Sequence, residues 1–338
     1  MDFIDFMAGA DDEGRRMDRI VRRLLPAHSL GMVYKYLRKG LIRRNGSRIR
    51  PEARIQEGDR VNVAAFLLQD APIPGIPPGR EELPQGRLPV LQDLFINPHV
   101  RIISKPYGIP VQGGGRSPIS LDRLIVQDYL RRQRESSSLS FRPGPLHRLD
   151  RRTTGVLAFS QSLAGAQWFS FALRQRLVGK EYLALAEGRL ERRVCWTDEM
   201  HHPQRAGGGG GFVLSAIGNG GKEAQTTASP MAWGQCGGIP LTLLHLEIST
   251  GRTHQIRLHC AAHGLPLLGD TAYGGHALPE RARTDRPRQN LFLHAWRLSI
   301  PPENPLGLPA KVEAPLPENF RNMLEAYLPD RDMQGYII

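Results

Sequence analysis

Several features that mark common protein classes are missing from this 338-residue sequence. Its three cysteines, Cys195, Cys236 and Cys260, are scattered and form no Cys-x-x-Cys pair. This usage favours reduced thiols in a cytoplasmic protein over a disulfide framework. No apolar run approaches the length of a membrane span. The first fourteen residues carry acids and no Lys or Arg, which is not typical of a secretory signal.

Signatures of bound cofactors are also missing. A glycine run begins at Gly113, but no Gly-Lys-Ser/Thr follows it, and there is no dinucleotide-binding fingerprint. His259 and His263 are four residues apart, a spacing that can bind a metal, but the sequence offers no evident third ligand. We therefore expect no metal, no nucleotide and no redox cofactor.

The sequence has an excess of positive charge, with a formal net charge of +12. Most of the excess lies between Arg15 and Arg60, where fourteen Lys or Arg residues face four Asp or Glu residues. Solvated helices usually mix the two signs, so a one-sided excess indicates a phosphate-binding face. A nucleic acid is the partner that this charge distribution predicts.

Local patterns divide the chain into four segments. Residues 1–14 are predicted to be a mobile acidic tail, and residues 15–68 a small basic domain. In that domain an apolar stripe from Met17 ends at Pro26, Ser29 and Gly40 bound a second helix, and Asn45-Gly46 predicts a hairpin turn. Residues 69–90 carry six prolines and read as a linker, and residues 91–338 form the second domain.

The second domain alternates strand and helix patterns. We predict strands at Val100–Ile103, Val156–Phe159 and Leu241–Ile248. We predict three helices in this domain. The first spans Leu121–Arg132, the second begins after an N-cap at Ser162, and the third runs from an N-cap at Thr253 to Gly264. Residues 200–222 are rich in glycine and are predicted to be an inserted loop of open role.

One stretch of this domain combines an acid with several bases. His147 to Gly155 reads His-Arg-Leu-Asp-Arg-Arg-Thr-Thr-Gly and precedes the strand pattern. The neighbouring cations Arg148, Arg151 and Arg152 favour the ionised form of Asp150, which suits a nucleophile or a base better than an acid. From composition alone, a structural salt-bridge cluster is the better interpretation.

The order of these residues resembles the HRLD-x-x-T/S-G motif of the RluA-type pseudouridine synthases. Three further stretches resemble family motifs in the same order: Val100–Gly114, Gly179–Leu185 with Lys180-x-Tyr182, and Thr250–His259 (TGRTHQIRLH). Residues 16–63 resemble the S-four-like RNA-binding domain that precedes many of these enzymes, most closely that of the RluC type. The resemblance implies an α+β fold, with a mixed, mainly antiparallel sheet and a central active-site cleft.

The resemblance also implies roles for individual residues. Asp150 is expected to be the catalytic residue, with Arg257 paired to it and Tyr182 stacking on the base or moving a proton at C5. The expected RNA contacts near the site are Arg148, Arg151, Arg252 and His254. Those of the basic domain are Lys35, Arg38, Lys39, Arg43, Arg44 and Arg48.

The implied function is isomerisation of specific uridines to pseudouridine, most naturally in 23S ribosomal RNA. A synthase acting on tRNA or another RNA, and a catalytically idle RNA-binding factor of ribosome assembly, stay open as alternatives. A base-removing hydrolase is disfavoured because it needs two facing acids and the motifs offer Asp150 alone. We expect a cytoplasmic monomer that needs RNA and no cofactor.

Overall fold

The computed structural model describes residues 1–68, 89–113, 119–132, 138–201, 215–218, 220–278 and 290–328. Most of the proline-rich segment and residues 202–214 of the glycine-rich segment lie outside that description. Within the described ranges, no helix is both long and apolar enough to cross a membrane.

The N-terminal domain packs two helices on a four-stranded sheet. Its elements are β1 (Phe3–Met7), α1 (Met17–Leu24), α2 (Leu30–Lys39), β2 (Ile42–Arg44), β3 (Ser47–Arg48) and β4 (Arg60–Ala64), and the strand order is β1-β4-β2-β3. The predicted caps of α2 are confirmed, since Ser29 Oγ accepts from the Met32 amide and Gly40 adopts a left-handed φ of 69°. The hairpin at Asn45-Gly46 joins β2 to β3 as predicted.

The first fourteen residues are not the mobile tail that the sequence analysis predicted. β1 pairs with β4 along its whole length, and Phe3 and Phe6 pack against the domain core. Asp12 is fully buried and accepts hydrogen bonds from the Ser138 hydroxyl at 2.7 Å and the Ser140 amide at 2.9 Å. The prediction was wrong because these acids have donors elsewhere in the chain, which a local reading of charge cannot reveal.

The second domain is built on a ten-stranded sheet. Its strands are β5 (Gln92–Ile96), β6 (Val100–Lys105), β7 (Thr154–Ser160), β8 (Gly179–Glu187), β9 (Val194–His201), β10 (Ala216–Ile217), β11 (Lys222–Cys236), β12 (Ile239–Ile248), β13 (Leu293–Ser299) and β14 (Lys311–Glu313). The order is β10-β9-β11-β12-β8-β13-β7-β6-β5, with β14 beside β13. All described pairings are antiparallel except β13 with β7. The predicted α+β fold with a mainly antiparallel sheet is confirmed.

Alternating residues of the strands feed two different cores. One face of the sheet contributes Tyr182, Ala184 and Leu244 to a core that includes residues of α3 (Leu121–Arg132) and α5 (Gln255–Ala262). The opposite face packs against α4 (Leu163–Arg174) and α6 (Glu318–Tyr327). The shared face of Tyr182, Ala184 and Ala186 places the tyrosine on the side of α5.

Two features fix the loops that border the cleft. Gly155, the second residue of β7, has a φ of 110°, and a Cβ there would collide with the Ala295 carbonyl of β13. The predicted Thr253 cap is wrong, because α5 begins at Gln255 and its N-cap is His254, with a left-handed φ of 57°. The Gln255 side-chain oxygen instead accepts from Thr250 Oγ1 and the Arg252 amide, which ties this turn together.

Candidate active site

Asp150 lies between two cavities on the α5 side of the sheet. The first, of about 340 Å³, is lined by the loop before β7, by Tyr182 and Lys180 of β8, and by residues 248–257. The second, of about 640 Å³, lies towards Tyr107 and residues 110–112. Arg148, Leu149, Asp150, His254 and Arg257 line both cavities. The carboxylate is therefore reachable from a recess large enough for a nucleotide base.

Arg257 links Asp150 to a second acid. One terminal nitrogen of Arg257 lies 3.5 Å from Asp150 Oδ2, while Nε and the other terminal nitrogen donate to Asp270 at 2.6 and 2.7 Å. Burial opposes the charge on Arg257, but the hydrogen bonds and charge of Asp270 outweigh it and raise the pKa of the guanidinium. The structure thus brings Arg257 to Asp150 as predicted, but the bidentate partner is Asp270, which the sequence analysis missed.

His254 stands beside Asp150 rather than at the rim. Its Nε2 lies 3.9 Å from Asp150 Oδ2, and its Nδ1 hydrogen-bonds the Tyr273 hydroxyl at 2.9 Å. Burial lowers the pKa of His254, against the attraction of Asp150, so the ring is neutral at pH 7. The Arg257 guanidinium also lies over the Tyr273 ring, with its central carbon 4.9 Å from the ring centre. A neutral imidazole here adds no positive charge to the Asp150 and Arg257 pair.

A buried lysine holds the loop that carries Asp150. Lys105, at the end of β6, donates to the carbonyls of Pro106, Arg151 and Thr153 at 3.0, 3.0 and 2.8 Å. Burial lowers its pKa to about 7, and Asp150 acts in the opposite direction. The sequence analysis treated Lys105-Pro106 only as the end of a strand. A lysine closing an apolar strand was the available signal for this contact.

Tyr182 is buried in the first cavity. Burial raises the pKa of its phenol, and the nearby charge of Asp150 raises it further. The phenol is therefore held in its neutral form at all ordinary pH values. Small neighbours on the same face, Ala184 and Ala186, leave room beside the ring.

The arginines next to Asp150 in sequence point in different directions. Arg151 Nε donates to the Gly108 carbonyl at 2.7 Å, and Arg152 bonds the Tyr107 hydroxyl and Asn290. In the described part of the chain, the cationic side chain that pairs with Asp150 is Arg257, and the neutral ring of His254 lies beside it. The expected clustering of Arg151 and Arg152 around Asp150 is therefore corrected, because their guanidiniums bond to Gly108, Tyr107 and Asn290 instead.

The remaining predicted RNA contacts fall into two groups. Arg148 is exposed at the mouth of both cavities, and Arg252 lines the first while its Nε donates to the Glu223 carbonyl. In the N-terminal domain Arg43 donates to Gly40 and Arg44 to Arg54, so these two also support the domain itself. Within this domain, the exposed members of the predicted set are Lys35, Arg38, Lys39 and Arg48.

The histidine pair of α5 is accounted for by other contacts. His263 Nε2 lies 2.8 Å from Asp198 Oδ2, and His259 Nε2 lies 3.6 Å from the same atom. Asp198 is thus the partner of both rings, and the sequence analysis did not identify this contact. Trp196 stacks on His263 with ring centres 4.9 Å apart, and burial lowers the pKa of His259 to about 4. Across the described ranges, no three or more His, Cys, Asp or Glu side chains form a group that could hold a metal ion.

Comparison with known proteins agrees with this geometry. Residues 99–262 match the RNA pseudouridylate synthase family, and residues 15–61 match the S4 domain. The chain is 28% identical to ribosomal large subunit pseudouridine synthase C of Escherichia coli K12 over 322 residues, which is 94% of each chain. It is 28% identical to synthase D of Nitrosomonas europaea, covering 93% of this chain and 84% of that one.

A solved structure carries the same fold. Human RNA Pseudouridylate Synthase Domain Containing 4 superposes with a TM-score of 0.54 at 21% identity, covering 69% of this chain and 92% of that chain. Residues 99–262, which match the family, include the Asp150 loop, β8 with Tyr182 and α5 with Arg257. The second domain is therefore similar in sequence and fold to the RNA pseudouridylate synthase family of isomerases, and residues 15–61 ahead of it match the S4 domain.

Proposed function

We propose that this chain isomerises specific uridines of 23S ribosomal RNA to pseudouridine. The observation that carries the proposal is the Asp150 carboxylate, which lines both cavities and is held by Arg257. The relatives named as large-subunit synthases C and D support ribosomal RNA as the substrate. The exposed lysine and arginine side chains of the S4 domain support capture of RNA, since contacts with phosphates supply sequence-independent affinity.

The reaction exchanges one bond of the nucleoside for another. The N1–C1′ bond breaks, the uracil turns while bound, C5 joins C1′, and the proton lost from C5 is balanced by one gained at N1. Asp150 acts either by attacking C1′ or by removing a sugar proton to form a glycal. A uridine must leave its stack to reach this recess, so the target base is flipped out of the RNA.

We assign Arg257 and Tyr182 to positioning and stacking. Arg257 aims the Asp150 carboxylate, and its own orientation is fixed by the two hydrogen bonds to Asp270. Tyr182 faces the same cavity with a phenol whose pKa is raised by burial, so ionising it to act as a base is costly. Stacking on the turning uracil is the role that its neutral ring suits.

The second buried acid does not turn the site into that of a hydrolase. Asp270 is completely buried, and both of its carboxylate oxygens accept hydrogen bonds from Arg257. A hydrolase would need its second acid facing the glycosidic bond with room for a water. We therefore propose that the flipped base is retained and rejoined.

The deciding experiment compares Asp150→Asn with a matched change away from the cavities, Asp198→Asn. An unmodified 23S rRNA transcript carrying tritium at uridine C5 is the substrate. We expect the wild type and Asp198→Asn to release tritium, and Asp150→Asn to bind RNA but release none. Release of free uracil would identify a hydrolase, and tritium release by Asp150→Asn near the wild-type rate would refute the assignment. A wild type that binds and releases neither would be an idle RNA-binding factor.

The cellular setting follows from the substrate. We propose that the chain acts as a cytoplasmic monomer on ribosomal RNA, with tRNA as the competing substrate. Parallel assays on 23S and tRNA transcripts separate these two substrates, because tritium release from tRNA alone would reassign the enzyme.

A further inference from the structure

His254 is held in a backbone conformation that costs free energy. Its φ is 57° at the N-cap of α5, in the left-handed region that is uncommon for residues other than glycine. The side chain does not cap the described amides of α5, and it lines both cavities beside Asp150 instead. A costly conformation that persists beside a reactive group indicates a function for the side chain that it places there.

The contacts of the His254 ring fix which of its nitrogens carries the proton. The Tyr273 hydroxyl accepts a hydrogen bond from the Ser215 amide at 3.1 Å, so its own proton is left for His254 Nδ1, 2.9 Å away. Ser215, which precedes β10, is held in turn by its hydroxyl, which donates to the Thr253 carbonyl at 3.1 Å. Since Nδ1 accepts and the ring is neutral, Nε2 carries the ring proton.

The Nε2 proton lies on the side of the ring that faces Asp150. Nε2 is 3.9 Å from Asp150 Oδ2, which is too long for a hydrogen bond between the two groups. A sugar carbon in position to react with the carboxylate lies about 3 to 3.5 Å from it. The uracil O2 is the carbonyl oxygen next to the breaking N1–C1′ bond. A bound uridine can therefore bring O2 within reach of Nε2.

We propose that His254 donates a hydrogen bond from Nε2 to the uracil O2 while the glycosidic bond breaks, and that Tyr273 is the positioning residue that sets the tautomer of the ring. The inference rests on the proposed function and adds a catalytic residue to it. The electron pair of the N1–C1′ bond leaves with the uracil, whose negative charge is shared by N1, O2 and O4. A fixed donor at O2 stabilises this anion, and His254 gives up no proton.

The symmetry of uracil lets the same donor act after the base has turned. A half-turn about the line through N3 and C6 exchanges N1 with C5 and O2 with O4. When C5 faces C1′, O4 therefore takes the place that O2 occupied, and Nε2 can donate to it there. The donor thus holds the base before and after the turn, whichever way Asp150 acts on the sugar.

Removing the ring tests the donor. His254→Asn fits the left-handed backbone but is too short to replace Nε2, and His263→Asn, at the other end of α5, is the matched control. The measurement is single-turnover tritium release from a saturating 23S rRNA transcript. We expect His254→Asn to be about 100-fold slower, as after loss of an oxyanion donor, with affinity changed less than about twofold. The control should match the wild type, and an equally fast His254→Asn would overturn the proposal.

Replacing the acceptor identifies the atom that the ring contacts. A transcript made with 2-thiouridine, tritiated at C5, has a weaker acceptor in place of O2. The ratio of the uridine rate to the 2-thiouridine rate should be about tenfold larger in the wild type than in His254→Asn, because only the wild type has a hydrogen bond to lose. Equal ratios in the two proteins would refute a contact between His254 and O2.

Nitrogen NMR tests the tautomer and the role of Tyr273. In protein with isotope-labelled histidine, the ring signals that vanish in His254→Asn should show a protonated Nε2 and an unprotonated Nδ1. A protonated Nδ1 would overturn the tautomer. Tyr273→Phe should be slower than the wild type, but Tyr273→Phe/His254→Asn should be no slower than His254→Asn, since the tyrosine acts through the ring. Losses that multiply would mean that Tyr273 acts independently.

The same samples separate this inference from the proposed function. A wild type that releases no tritium would sink the proposed function, while the nitrogen spectrum still tests the tautomer without turnover. An active wild type beside an equally active His254→Asn would sink the donor and leave the function standing. Thermal unfolding shows whether His254→Asn folds. If it does not, His254→Gly, which also suits a left-handed backbone, takes its place in each comparison.

Discussion

At the scale of single residues, Arg257 has two tasks that a lysine cannot share. Its fork is committed to Asp270 by two hydrogen bonds while a third nitrogen reaches Asp150. Arg257→Lys keeps the charge but loses this geometry. We expect turnover to fall on the order of 100-fold, since small misplacements of a reacting group cost that much, while affinity for RNA changes less than about twofold.

The measurement is single-turnover tritium release together with equilibrium RNA binding for Arg257→Lys. Arg321→Lys on α6 serves as the matched control and should leave both quantities unchanged. If the loss in Arg257→Lys lies in affinity with the rate at saturation preserved, the residue is a phosphate contact and does not orient Asp150.

At the scale of elements, the β7–β13 contact depends on a glycine. Gly155 is paired with Ala295 in the parallel register, and a Cβ at this position would clash with the Ala295 carbonyl. The positive φ of Gly155 is also unfavourable for any residue with a side chain. Gly155→Ala should cost more than about 3 kcal/mol of unfolding free energy, as overpacking adds to backbone strain. Gly144→Ala, where a Cβ meets nothing within 4 Å, should change stability by less than about 1 kcal/mol.

Urea unfolding of the two glycine variants gives this comparison directly. Similar midpoints for Gly155→Ala and Gly144→Ala would mean that β7 and β13 can separate at this position without cost. The strand pairing would then contribute little to holding the Asp150 loop, which immediately precedes β7.

Elements that depend on local sequence patterns could be predicted from the sequence. The helix Leu121–Arg132, the Ser29 cap of α2 and the strand around Val156 all follow from periodicity and end signals. Contacts between distant segments could not be predicted in this way. The sequence around Asp270 is that of an ordinary turn, and its role becomes visible only when the fold places Arg257 beside it. The left-handed backbone of His254 is likewise not indicated by the local sequence.

At the scale of the whole molecule, three buried histidines tie stability to pH. Burial lowers the pKa of His147 to about 3 and the pKa values of His259 and His294 to about 4, from an ordinary value of 6.5. The unfolded chain therefore takes up protons first as pH falls below 6.5. Stability should be lost between about pH 6.5 and 4, with a slope approaching 1.4 kcal/mol per pH unit for each histidine.

Urea unfolding at pH 7, 6 and 5 checks this pH dependence. His294→Gln, which removes one titrating group bonded to Thr154 and the Ala314 carbonyl, should reduce the slope by about a third. An unfolding free energy that stays level from pH 7 to pH 5 would mean that these rings do not stay neutral in the folded chain.

The burial of Asp12 has a consequence for the order in which the protein is made. Its hydrogen-bond partners Ser138 and Ser140 lie 126 and 128 positions further along the chain. At about 5 to 20 residues per second, a ribosome reaches them roughly 6 to 25 seconds after Asp12. The S4 domain's own apolar residues can pack within that interval, but their core stays incomplete until Leu139, which packs into it, has been made. A nascent chain halted before residue 138 should therefore expose an Asp12 side that a protease can reach, and the same side should become protected once residue 140 has left the exit tunnel.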